Sequence, residues 1–429
     1  MLPSRPPTDG APGMNHEKIV ITGIGAVSPN GFGREQYFAA LAAGRSGVAT
    51  ITQFDPSSLP ARIAGEVKDF DPSKWIDAKE LKHVSRVVPL ALAATEEALR
   101  DAKLDPSAES LEMRRSIGVM LGSGGGAIEF SERMYELWYR GAAKQASVYS
   151  VPSGTIGTIA SEISMQYDLH GFSHLISTGC TSSTDALGYA YRNLRLGVID
   201  YVIAGGADAT ITEGVMTGFC MMRIVSNTRN DRPETASRPF SKSRDGFVLG
   251  EGAWMFVVER ESTARARGAH IYAEIAGYGS TCDAYHRVRL DENGEEPARA
   301  MTLAMKDANI DPREVGYLNY HGTSTELNDR IETRAVKIAF GDHARNLPGS
   351  ATKSMIGHPQ GACGSAGVAA TLMAFRDDLL PPTINLDDPD PECDLDYIPH
   401  HARRAHIDAA VCNTIAFGSK NSALVLKRV

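Results

Sequence analysis

Apolar residues fall along this chain in two rhythms, short unbroken runs that suit buried strands and longer stretches with a helical repeat. Residues 18–22 read as a first buried strand, closed by a tight turn at Gly23-Ile24-Gly25. Residues 86–103 read as a helix interrupted near Pro89 in its first turn, and 117–126 as a strand running into the glycine loop GSGGG. A short strand at 174–176 leads through small residues and Cys180 into another helical repeat, with Ala186, Leu187, Ala190, Leu194 and Leu196 mainly on one face. A strand at 200–208 ends near a glycine pair, a further strand follows at 252–260, and a short helix at 261–269.

The order then restarts. Residues 271–281 resemble the opening strand and turn, 297–309 form a helix ending before Asp311-Pro312, and 315–325 form a strand ending in a polar loop. Residues 350–375 pass from small residues into a helix, as around Cys180, and 411–429 close the chain with strands around a glycine turn. Two halves of similar plan, 15–265 and 266–429, each alternate strand and helix, which implies layered α/β architecture. Strands apolar along their length imply sheets covered on both faces. Duplication places corresponding loops of the halves near a pseudo-twofold axis, where they can share a site.

Composition narrows the class. At 429 residues the chain exceeds one simple core. Its net charge of −8 argues against a general binder of nucleic acid or anionic membranes. The cysteines, at 180, 220, 282, 363, 393 and 412, form no C-x-x-C pair, so neither a zinc site nor a redox motif is signalled. A reducing, cytoplasmic setting is expected. Residues 1–14 are rich in Pro and Gly and lack the apolar core of a signal peptide; they are expected to be a disordered extension, with Met14 an alternative start. Nothing approaches the ~18 consecutive apolar residues of a membrane span.

Three loops carry candidate chemistry. Cys180 stands at a helix start, where unpaired N–H groups and the macrodipole favour the nucleophilic thiolate; a buried structural cysteine is the commoner alternative. The second loop, NYHGTST, holds His321 beside Thr323 and Thr325, and the third, TKSMIGHPQGACG, holds Lys353 and His358. Cysteine with histidine alone also fits several hydrolases. The GSGGG loop lacks the Lys-Ser/Thr of a P-loop and the acidic residue of a dinucleotide fold, so nucleotide binding is not expected there.

The segments TGCTSS around Cys180, RPFSKSRDGFVLGEGA (238–253), HGTST, KSMIGH and FGSKN together resemble the β-ketoacyl synthase (ketosynthase) family, from about residue 18 onward. NDRIET, PPTINL and DPECDLDYIP particularly resemble ketosynthase alpha subunits of type II polyketide synthases, alongside β-ketoacyl-acyl carrier protein synthase II. The resemblance implies a thiolase fold, a duplicated α-β-α-β-α layered architecture, and decarboxylative Claisen condensation. Cys180 is then the acyl-accepting nucleophile, His321 and His358 stabilise the oxyanion of the malonyl unit, and Lys353 supports their network. The N–H groups of Cys180 and Phe417 form a second oxyanion hole, Phe417 gates the pocket, and Thr323 and Thr325 bind pantetheine. Gly125 and Phe219 are expected in the acyl pocket, with Gly125 in place of a bulky aliphatic residue and so implying a deeper pocket. Substrates are carried on the phosphopantetheine of an acyl carrier protein, with no cofactor or metal held by the enzyme. Lys79, Lys82, Arg86, Arg223 and Arg229 are candidate carrier contacts. A homodimer and a heterodimer with a chain-length-factor-like subunit are both open, with 117–135 and 149–180 expected at the interface.

The chain departs from the family at Gly367, where dissociated members commonly carry glutamate, and at Ser419-Lys420 in the gating loop. Alternatives are a non-catalytic chain-length-factor-like partner, which lacks the cysteine, and a housekeeping fatty-acid elongation synthase. A thiolase needs a second cysteine in the terminal glycine loop, an initiating synthase needs asparagine at 358, and a hydrolase leaves KSMIGH unexplained.

Overall fold

The computed structural model describes residues 17–429, so the expected extension at 1–14 lies outside the described residues. The central sheet has eleven strands among the described residues, ten of them on one continuous path: β1 (Ile19–Ser28), β2 (Ile117–Gly122), β3 (Ser173–Ile176), β4 (Tyr201–Asp208), β5 (Gly252–Arg260), β6 (Ala273–Cys282), β7 (Tyr317–Asn319), β8 (Gly349–Ser350), β9 (Ala409–Ala416) and β10 (Lys420–Lys427), while the short strand Gly31–Phe32 pairs with β1 off that path. Their spatial order is β8-β7-β9-β10-β6-β1-β5-β4-β2-β3. The first five strands therefore lie as β3-β2-β4-β5-β1 and the last five as β8-β7-β9-β10-β6, the same arrangement used twice. The directions repeat as well, for β2 runs parallel to β3 and β4 as β7 does to β8 and β9. The antiparallel ladders β4–β5–β1 and β9–β10–β6 correspond in turn. A short antiparallel ladder, Ile19 to Ile275 through Ile21 to Ala273, joins the two sets.

The longer helices include α1 (Val87–Asp101), α2 (Ile128–Tyr139), α3 (Ser182–Arg195), α4 (Glu213–Met222), α5 (Glu295–Asp307), α6 (Glu326–Phe340) and α7 (Cys363–Asp377). Helix α1 lies on β1 and β5 as α5 lies on β6 and β10, while α3 and α7 pack against each other between the halves. Every residue of β1, β2, β4 and β9 is buried, as continuous apolar runs demand of sheets covered on both faces. β3, at one end of the sheet, is only partly covered. No helix among the described residues is long and apolar enough to cross a membrane.

Two expectations change. The turn expected at Gly23-Ile24-Gly25 is instead the middle of β1, with a register shift between Ile21 and Gly23. Its glycines serve close packing, since a Cβ on Gly25 would stand 1.8 Å from the Ala94 carbonyl oxygen of α1, and one on Gly23 2.2 Å from that of Ala98. On α3, Ala186, Leu187, Ala190 and Leu194 are buried as expected, but Leu196 is 70% exposed. Ten residues beyond Ala186, at about 100° per residue, it has rotated off the buried face, and it follows the last helical residue.

Candidate active site

Duplication brings the three loops together. Cys180 lies in a single 3₁₀ turn between β3 and α3, and His358 lies just before the equivalent α7, so two corresponding helix starts meet beside the β7–α6 loop that carries His321. The Cys180 sulfur and one ring nitrogen from each of His321 and His358 lie within 4.8 Å of one another, and all three residues are buried. They line a cavity of about 190 Å³, together with Thr323, Thr325 and Phe417. The two imidazole rings are almost perpendicular, their centroids 5.3 Å apart.

The His321 side of this site is held from behind. Lys353 is buried, and its ammonium donates to the His321 carbonyl oxygen (2.7 Å) and stands 3.3 Å from His321 Nδ1. Donation to Nδ1 leaves the proton of a neutral ring on Nε2. Glu332 accepts from the backbone N–H groups of His321 (2.6 Å) and Gly322 (2.8 Å) and from the Asn413 side chain (2.7 Å), anchoring the HGTST loop to α6. Thr323 and Thr325 share a hydroxyl hydrogen bond of 2.8 Å. The Phe417 N–H reaches the Cys180 sulfur, and the Phe417 ring remains 36% exposed at the cavity.

Burial, with Lys353 nearby, holds both histidines well below their ordinary range, so they are neutral N–H donors across neutral pH. The Cys180 thiol behaves differently from the helix-start expectation. Burial pushes it up, as does Cys363 beside it, and the opposing pull of Lys353 and the Phe417 N–H is smaller. Cys180 therefore rests as a thiol whose proton leaves as the sulfur attacks. A cysteine and two imidazoles also make a donor set suited to a soft cation such as zinc, but the Lys353 ammonium behind His321 opposes a cation here.

The glycine loop GSGGG does hold an anion, one from the protein itself. The Asp208 carboxylate, at the end of β4, accepts from the N–H groups of Gly124 (2.8 Å) and Gly125 (2.9 Å), the Ser123 hydroxyl (2.7 Å) and the Gly361 N–H (2.6 Å). It thereby fastens the first half to the His358 loop. Burial raises its pKa against these four donors.

Other expected residues are placed as follows. Gly125 does not line the cavity, and a Cβ there would meet Thr210 Cγ2 at 2.1 Å. Gly125→Ala is thus expected to cost about 1–3 kcal/mol, read as a lower denaturant midpoint, and Thr210→Ala to recover most of it in the double variant. Phe219 packs edge-on against Phe247, a cavity residue, without lining the cavity itself. Arg86, expected as a carrier contact, is instead mostly buried, its guanidinium held by Glu251 (2.7 Å) and the Val67 carbonyl, so it is not a free docking charge. Lys79, Lys82 and Arg223 are exposed, and Arg223 precedes the cavity residue Ile224. Arg229 is half-buried. Gly367 faces the Asn319 side chain, whose Oδ1 would stand 2.3 Å from a Cβ, so any side chain at 367 requires Asn319 to shift. Ser419 takes left-handed backbone (φ 65°), and its hydroxyl donates to the His286 carbonyl oxygen at 3.0 Å.

Sequence reasoning missed Glu332, Asp208, Cys363 and the exposed Arg289 at the cavity wall. An acidic residue at the end of an apolar strand marked Asp208; the others acquire meaning only through contacts remote in sequence. Glu332 also has a pH signature, because burial outweighs its three donors and lifts it to about 7. Its folded pKa exceeds the unfolded one, so the native state holds this proton more tightly and loses stability as pH rises from about 4.5 through 7. Glutamine resembles the protonated form but does not titrate. The destabilisation by Glu332→Gln should therefore be smaller at pH 8 than at pH 5, by up to about 3 kcal/mol, in urea melts at both.

Known proteins resemble this chain along most of its length. Residues 16–264 match the family profile of the β-ketoacyl synthase N-terminal domain and residues 272–387 that of the C-terminal domain. The chain is 42% identical to 3-oxoacyl-[acyl-carrier-protein] synthase 2 of Coxiella burnetii, over 97% of this chain and 100% of that protein. Among solved structures it is similar to the ishigamide ketosynthase/chain length factor, with TM-score 0.89, 32% identity and coverage of 96% and 99% of the two chains. It also resembles a type II polyketide synthase acyl-carrier protein in complex with its ketosynthase bound to the hexaketide, with TM-score 0.87, 31% identity and coverage of 96% and 99%.

Proposed function

Because the chain belongs to the β-ketoacyl synthase family, with its thiolase fold, we propose that it is a condensing acyltransferase that extends acyl chains carried on acyl carrier protein. The observation that carries this is the buried Cys180, His321 and His358 set converging within 4.8 Å on one cavity. In the first half-reaction the Cys180 sulfur attacks the thioester carbonyl of the incoming acyl chain. The S–H proton leaves, the tetrahedral oxyanion sits against the N–H groups of Cys180 and Phe417, and collapse expels the pantetheine thiol. In the second, malonyl-carrier protein loses CO₂, and the electron pair of the broken C–C bond becomes an enolate whose oxygen accepts from His321 and His358. The enolate carbon attacks the Cys180 thioester, and collapse releases the sulfur and a β-ketoacyl chain. Thr323 and Thr325 hold the pantetheine amides, and substrate groups arrive on the carrier without a cofactor of the enzyme's own.

Arg223 and Arg289 flank the cavity and suit the acidic carrier. A dimer face is supported by the partly covered β3 and by exposed Ile128, Tyr135 and Tyr139 along α2. Intact Cys180, His321 and His358 favour a catalytic subunit over a chain-length-factor-like partner. Fatty-acid-like and polyketide elongation both use this chemistry. Mass spectrometry after mixing with acyl-carrier protein should show an acyl adduct on Cys180. No adduct with any primer, and no CO₂ from malonyl-carrier protein, would refute the proposal.

A further inference from the structure

Cys363 takes no part in the condensation, yet it abuts the nucleophile from the side away from the cavity. It is the first residue of α7, buried, and its sulfur stands 3.1 Å from the Cys180 carbonyl oxygen and 4.0 Å from His321 Nδ1. Cys180, Cys363 and Ala416 form a small buried apolar cluster that no other cysteine joins. Backbone geometry puts the Cys363 sulfur no further than about 5.5 Å from the Cys180 Cα, where side-chain rotation and a small loop adjustment give a disulfide its usual span. Cys180 lines the cavity and Cys363 does not, so a small oxidant that enters meets Cys180 first. The Lys353 ammonium, within hydrogen-bond reach of the Cys363 sulfur, favours its thiolate against the effect of burial.

We propose that Cys363 is a resolving thiol that closes a reversible disulfide with Cys180 when a hydroperoxide oxidises the nucleophile. The peroxide transfers one oxygen to Cys180, giving a sulfenic acid and the alcohol, or water from hydrogen peroxide. The Cys363 sulfur then attacks the Cys180 sulfur, the new S–S bond forms, and the hydroxyl leaves as water with the Cys363 proton. Without that neighbour, a second oxidation carries the sulfenic acid to the irreversible sulfinic acid. An acyl chain on Cys180 blocks the first step, so a loaded enzyme is protected. The absence of a C-x-x-C pair concealed this pairing, since the two residues are 183 positions apart.

The inference rests on Cys180 being the reactive thiol, which the acyl-adduct experiment tests separately. Full-length protein treated with hydrogen peroxide should lose about 2 Da, yield a Cys180–Cys363 linked peptide under non-reducing digestion, and regain condensing activity with dithiothreitol. Cys363→Ala and Cys363→Ser should keep basal activity, gain about 32 Da on Cys180 instead, and stay inactive after reductant. Absence of the linked peptide from the wild-type protein, or equal irreversible loss in wild type and variants, overturns the proposal. The wild-type peptide decides the matter even if a variant misfolds, and an acyl adduct on Cys180 without a disulfide removes this inference alone.

Discussion

Cys180→Ala is expected to remove the acyl adduct altogether and to lower condensation by at least about 10³-fold, as loss of a covalent nucleophile does elsewhere. The alanine site keeps its fold, because the sulfur sits in a small apolar cluster with Cys363 and Ala416, where it meets the Phe417 N–H. Decarboxylation of malonyl-carrier protein should persist, for His321 and His358 are untouched and the oxyanion they stabilise belongs to the malonyl unit. The measurement pairs intact-protein mass with CO₂ release. Loss of both activities together would mean that Cys180 acts on the malonyl step as well, and retained condensation would exclude it as nucleophile. Because the resting group is a buried thiol, acyl loading should quicken with rising pH, while decarboxylation, which uses neutral imidazoles, should vary little between pH 6 and 8, a range set by the ordinary histidine value of about 6.5.

Removal of either imidazole should produce the reverse pattern. His321→Ala and His358→Ala are expected to retain the Cys180 adduct and to lose about 10²–10³-fold in decarboxylation and condensation, the usual cost of one oxyanion donor. The effects need not be equal. His321 is oriented by the Lys353 ammonium and, through its backbone, by Glu332, whereas His358 Nδ1 is buried without a partner among the described residues and its ring rests edge-on against Phe247 at 5.5 Å. Substitution at 321 therefore also leaves Lys353 buried with fewer acceptors, and a stability loss of about 1–3 kcal/mol should accompany it. No such loss is expected at 358. Single-turnover acyl transfer and urea melts on the same preparations separate these effects, and unchanged decarboxylation in both variants would remove the two-donor account.

Much of this was legible in one dimension. The period of the apolar residues identified strands and helices, and their restart after residue 270 identified the duplication. The motifs around Cys180, His321, Lys353 and His358 named candidate groups, of which Cys180, His321 and His358 line one cavity. The glycines were misread because a strand glycine and a turn glycine look alike in sequence; only α1, with its carbonyls against Gly23 and Gly25, distinguishes them. Arg86 was misread for a similar reason, since its partner Glu251 lies 165 positions away.

What the chain determines by itself is the inventory and the plan: which residue types stand at which loop tips, and that a plan is used twice. Local rules act over a few residues, and those rules are written in side-chain spacing and turn chemistry. The tertiary structure decided the protonation states, the anion in the glycine loop and the neighbour of the nucleophile. These depend on desolvation and on contacts between the two halves. The Cys180 thiol is the plainest case, for the helix start argued for a thiolate and burial between two packed halves kept the proton on.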